Sequence, residues 1–159
     1  MRNLFLSLVL CCLCYAPAYT APLSETEVKS FMHQLEQVTQ QRDYHAVANL
    51  MAPQIKIHYL LSSPSSKKDI QLSRDQYLQN ALAGGTNYSD YQYHTQISSI
   101  KVTGNWAQVY FQGYERATSK DRGTIDCLMN DMAIVEKSQN RLFLTVLNGN
   151  GVMSSQRLF

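Results

Sequence analysis

The acid best placed to do chemistry is Asp131. Ile125, Cys127, Met129, Asp131 and Ala133 occupy every second position of one run, so as a strand they share a face. A carboxyl among such neighbours is desolvated and its pKa rises. It can orient a ligand in a pocket, or it can be a structural acid bonded to backbone or to a Tyr hydroxyl; the pattern leaves both open. Cys127 is the other candidate on this face, but no base or positive charge stands beside it, so a small buried apolar residue is expected rather than a nucleophile. The four histidines, His33, His45, His58 and His94, include no i, i+4 pair, and His33 and His45 lie in different segments, so no metal site is indicated. Gly84-Gly85 and Asn148-Gly149-Asn150-Gly151 lack the Lys and the strand-to-helix context of a phosphate loop. No Gly-x-Ser-x-Gly elbow is present. Neither a cofactor nor a catalytic constellation is indicated.

A second feature is aromatic. From Trp106 to Tyr114, Ala107, Val109 and Phe111 form one face of a strand, and Trp106, Gln108, Tyr110, Gln112 and Tyr114 form the other. Large rings between uncharged amides are unlike a purely solvated face and resemble an interface. Trp106, Tyr110 and Tyr114 are therefore expected on a partner surface, with Tyr91 and Tyr93 extending it on the adjacent strand. The competing reading is a face covered by the C-terminal tail of the same chain.

Elements must position these residues, and composition limits which. The 159 residues carry 14 Lys+Arg, 12 Asp+Glu and 45% apolar residues, which suits one globular domain. A net charge of +2 disfavours electrostatic capture of nucleic acid or acidic membrane. Met1-Arg2-Asn3, the apolar run Leu4 to Cys14 and Ala16-Pro17-Ala18 are the three parts of a cleavable export signal, expected over 1–18. The run is too short for a bilayer span, which needs about 20 residues, so no stable membrane anchor is expected. Periplasmic or secreted destinations follow. Cys11, Cys12 and Cys14 leave with the signal; Cys127 alone remains and no internal disulfide can form.

The remaining chain, 19–159, reads as one domain with helices first. Ser24-Glu25-Thr26-Glu27 is a capping box, and Val28, Phe31, Met32, Leu35 and Val38 then share a helical face. A second helix starts at Asp43, carries Tyr44, Val47, Leu50 and Met51 inward, and is stopped by Pro53. Ile55, Ile57, Tyr59 and Leu61 alternate as a strand, Ile70 to Leu72 returns beside it, and Ser73 with Gln76 caps a third helix ending at Gly84-Gly85. Four strands follow, over 91–102, 106–115, 124–135 and 141–147, with short turns that predict an antiparallel meander. From Asn148 a loosely held, flexible tail is expected. The class is α+β.

This order resembles the nuclear transport factor 2-like superfamily, with its SnoaL-like and ketosteroid isomerase-like members. Arg42 to Pro53 is similar to the family's second helix, Ile97 to Phe111 to its central hairpin, and Asn130 to Val135 to its penultimate strand. The resemblance implies a cone: a strongly curved antiparallel sheet of four to six strands wrapped around three helices of the N-terminal half, with an apolar pocket at its wide end and sheet-to-sheet homodimers. It puts Tyr59 at the position of the isomerase base and Leu35 at that of the first-helix donor. A Tyr of pKa near 10 is a poor base at neutral pH, and Leu has no proton to give. Only Asp131 matches its counterpart. Tyr59, Asp131, Met129, Phe111 and Leu35 are thus expected to line a ligand pocket.

Three functions follow. A non-catalytic exported binding or assembly module, holding a small apolar ligand or a protein partner, stands first. A cone-fold dehydratase, hydrolase or isomerase is the alternative, and a cone filled by Met32, Met129 and Phe111 the third.

Overall fold

A computed structural model of the chain describes residues 21–85, 88–119 and 123–156; the expected export signal lies outside them. Helix α1 spans Glu25–Gln40 and α2 Tyr44–Asn49; strands β1 (Met51–Ser63) and β2 (Ser66–Leu72) precede α3 (Arg74–Gly85), and β3 (Asp90–Thr103), β4 (Trp106–Ser119), β5 (Gly123–Ser138) and β6 (Arg141–Gln156) follow. The strands form one sheet in the order β2-β1-β6-β5-β4-β3. The fold is the α+β cone expected.

Local sequence chemistry sets the boundaries. Ser24 accepts from the Glu27 backbone N–H and the Glu27 carboxylate accepts from that of Ser24, so α1 opens on a complete capping box. It closes in a Schellman turn, with the Asp43 N–H donating to the Val38 carbonyl and the Arg42 N–H to that of Thr39. Arg42 takes the left-handed position (φ 57°). Ser73 and Gln76 cap α3 reciprocally. Gly104 (φ 59°) opens the β3–β4 turn, and Gln139 and Asn140 (φ 49° and 60°) make the β5–β6 turn, the positive φ values that tight hairpins demand.

Bulges between Ile97 and Ser99, Ile134 and Val135, and Met51 and Lys56 interrupt the ladders, and each bends its strand. The sheet so curved wraps α1. Its narrow end is solid: Val28 and Met32 of α1 meet Val109, Ala133, Val135 and Leu144, with no more than 1% of any of them exposed. The edge of β3 is covered by α1, where Glu36 accepts from the Thr95 N–H and hydroxyl and Gln40 from the Tyr93 N–H.

Three expectations need correction. Helix α2 ends at Asn49, before Pro53; that proline lies in β1, within the bulged stretch where no ladder N–H is required. The sheet is not purely antiparallel, because β1 runs parallel to β6. Residues 148–156 are no loose tail. They continue β6 between β5 and β1, so they cannot cover the outer aromatic face. Turn-rich composition hid this strand, and the glycines serve packing: a Cβ at Gly149 would stand 2.7 Å from the Tyr59 ring, and one at Gly151 2.7 Å from Leu61.

Candidate ligand-binding site

Toward the wide end the inward side chains stop filling the cone. Along β4 they run Ala107, Val109, Phe111, Gly113, Glu115, and along β5 Val135, Ala133, Asp131, Met129, Cys127. A cavity of about 470 Å³ remains between this surface and the three helices. Tyr59, Asp131, Met129, Phe111 and Leu35 all line it. Met32 lies in the solid core, and Met129 and Phe111 form wall without closing the hollow.

Asp131 is 4% exposed, and its Oδ1 has no hydrogen-bond partner. Its neighbours explain how it fits. It pairs with Gly149 of β6, and Gly113 of β4 lies beside it, where a Cβ would come 3.4 Å from Oδ2. Glycine on both flanking strands leaves a notch for the carboxyl. Desolvation, with no compensating donor, pushes its pKa up to about 7. Burial, and next the charge of Asp131, raise the hydroxyls of Tyr59 and Tyr93 well above the usual tyrosine value. Both therefore stay neutral at ordinary pH.

A second acid, Glu115, also lines the cavity. Burial raises its pKa, and a hydrogen bond from Tyr91 opposes that rise. Phe111 is the cross-strand partner of Asp131, so Glu115, four residues further along β4, lies about 13 Å from it at strand rise. The alternation read for β4 passes through this residue; extending it two positions past Gly113 was the signal. Cys127 is buried and its thiol is pushed up to about 11, mainly by desolvation, which leaves it inert.

Tyr91 and Tyr93 do not extend the outer face. They point into the cavity, because Tyr93 pairs with Glu115 and Tyr91 with Ala117 on the inner side. Slipping the strand register by one residue exchanges the faces, and the sequence alone does not fix it. The outer face does carry Trp106 (38% exposed) and Tyr110 (47%). Tyr114 is held there, its hydroxyl donating to Asp126 (2.8 Å), which also takes Arg116 (2.7 Å). Beside Tyr110 lies an outer trough of about 730 Å³, with Gln96, Gln112, Asn130 and Asn148 on its walls. His58 lies in that trough, bonded to Asp69 at 2.8 Å, away from the cavity. His94 is exposed near Glu36.

No protein-family profile and no curated protein sequence matches the chain. Solved structures do. A candidate scytalone dehydratase from Novosphingobium aromaticivorans superposes with TM-score 0.66 at 15% identity, over 83% of this chain and 87% of that one. A ketosteroid isomerase-like protein from Erwinia carotovora atroseptica gives 0.58 at 12%, over 78% and 92%. An NTF2-like protein of unknown function from Pseudomonas putida gives 0.58 at 12%, over 79% and 84%. The chain has the nuclear transport factor 2-like fold, in which dehydratase-like and isomerase-like proteins also occur.

Proposed function

We propose that the protein is an exported ligand-binding cone that holds one small, largely apolar molecule whose polar group hydrogen-bonds to Asp131. The observation that carries this reading is a buried carboxyl oxygen without a partner on the wall of a 470 Å³ hollow. A buried polar atom left unpaired costs about 1–3 kcal/mol, and a ligand hydroxyl supplies the missing bond. The apolar wall supplies affinity, and one polar group fixes orientation. Calorimetric titration with 1-octanol tests it: the wild type binds, and Asp131→Ala weakens binding about tenfold, one lost hydrogen bond. Failure of the wild type to take up octanol or any neutral apolar alcohol overturns the reading.

Export rests on the charged start, short apolar run and small-residue site of 1–18. A mature N-terminus following Ala18, found by mass spectrometry of the native protein, tests it.

A second reading, proton-transfer catalysis, draws support from the same acid. A carboxyl of pKa about 7 is matched to accept and return a proton near neutrality. The expected signature is Asp131-dependent exchange of the α-protons of a bound ketone, such as 2-decanone, in heavy water. Binding without exchange above the buffer rate leaves the non-catalytic module.

A further inference from the structure

We propose that the wide end of the cavity receives an organic ammonium group, held by the Glu115 carboxylate inside a cage of the Tyr44, Tyr77, Tyr91 and Tyr93 rings. This deepens the ligand-binding reading and rests on it. The cage is assembled from separate elements. Tyr93 is the direct cross-strand partner of Glu115, and Tyr91 lies one inward position further along β3. Tyr44 is the first residue of α2, and Tyr77 lies at the start of α3, its N–H donating to the Ser73 carbonyl. All five residues line the same cavity. They are close enough that the charge of Glu115 acts on each of the four hydroxyls.

What the cavity wall lacks, among the described residues, is a cation. Among the described residues no Lys, Arg or His forms an ion pair with Glu115. Arg42 stacks on the Tyr91 ring at 5.7 Å and donates to the Tyr88 carbonyl at 3.0 Å, but it is not part of the cavity wall. Glu115 is half-buried with no counter-ion on the described cavity wall, and the surface around it is aromatic. Tyrosine faces attract cations, most strongly those desolvated in the site. An alkylammonium sheds water more readily than an inorganic ion, and its apolar body suits the rest of the hollow. Anionic ligands meet two acids, Glu115 and Asp131, and no compensating charge among the described residues of the wall. The chemical class is therefore an elongated amphiphilic cation, its head at Glu115 and its far end near Asp131, about 13 Å away along the strand.

The test compares n-octyltrimethylammonium, 1-octanol and octanoate, which share one chain, by calorimetry on the folded protein. The cation is expected to bind at least about tenfold more tightly than octanol, and octanoate most weakly. Glu115→Gln erases the preference, weakening the cation about tenfold and octanol far less. Tyr77→Phe, which keeps the ring, preserves cation binding, and Tyr77→Leu weakens it several-fold. Equal affinity for cation and alcohol, or a preference that survives Glu115→Gln, overturns the ammonium site and leaves the apolar pocket standing. If none of the three ligands binds the wild type, the pocket reading itself has failed.

Discussion

At the scale of single residues, the cavity acid sets a pH dependence whose sign is fixed. The folded-state pKa of Asp131, about 7, lies above the value of 3.8 for a free aspartate. Between these values the native state binds the extra proton, so stability falls as pH rises through that window. Below pH 4 the penalty is absent, and above pH 7 it is complete, up to about 4 kcal/mol at 1.36 kcal/mol per unit. Asp131→Asn is expected to match the wild type at pH 4 and to exceed it at pH 8, in urea midpoints measured at both. Some slope survives in the variant, because burial raises Glu115 in the same direction. The flanking glycines give a graded companion prediction. Ala at Gly149 would put its Cβ into the space of Asp131 Oδ1 and 2.7 Å from Tyr59 Cδ1; at Gly113 the nearest atoms are at 3.4 Å. Gly149→Ala should cost about 1–3 kcal/mol, as overpacking does. Gly113→Ala should cost less, and denaturant unfolding of the two variants ranks them.

At the scale of elements, what could be read from the sequence depended on whether local chemistry alone decides an element. Helices α1 and α3 announce themselves, because Ser24 with Glu27 and Ser73 with Gln76 are caps that act within four residues. The alternation of β5 put Asp131 on the inner face before any partner strand was known. Glu115 and the inward turn of Tyr91 and Tyr93 were not legible, because they depend on how β3 registers on β4. The last half of β6 was hidden for a related reason. Asn148-Gly149-Asn150-Gly151 looks like turn sequence, yet its glycines answer to Asp131, Tyr59 and Leu61 on neighbouring strands. A glycine without such a duty behaves differently. Gly84 lies inside α3, and a Cβ there would meet nothing within 4 Å. Gly84→Ala is expected to stabilise by about 0.5–1 kcal/mol through helix propensity, raising the thermal midpoint.

At the scale of the whole molecule, the outer face of the sheet poses the question of what covers it. Leu60, Trp106, Tyr110, Leu128 and Val152, each 38–65% exposed, occupy outward positions of β1, β4, β5 and β6. Between them Gln96, Gln112, Asn130 and Asn150 stand in register across four strands, with Gln112 donating to Asn130 at 3.0 Å. Amides both donate and accept, so a row of them can meet its own copy across a two-fold axis, where residue i faces j and j faces i. We propose a second copy of the chain as the occupant of this face. Charge complementarity plays little part in such a contact, so the association should change little between low and high salt. Sedimentation equilibrium is expected to give twice the monomer mass, from an interface burying about 800 Å² per subunit. Tyr110→Glu and Leu128→Glu each put a charge into that contact and should yield monomers. Tyr114 is the poorer site, since its replacement also breaks the contact to Asp126. Because the face and the cavity lie on opposite sides of the sheet, the Glu variants should bind octanol as the wild type does. A wild type that stays monomeric at high concentration refutes the self-association.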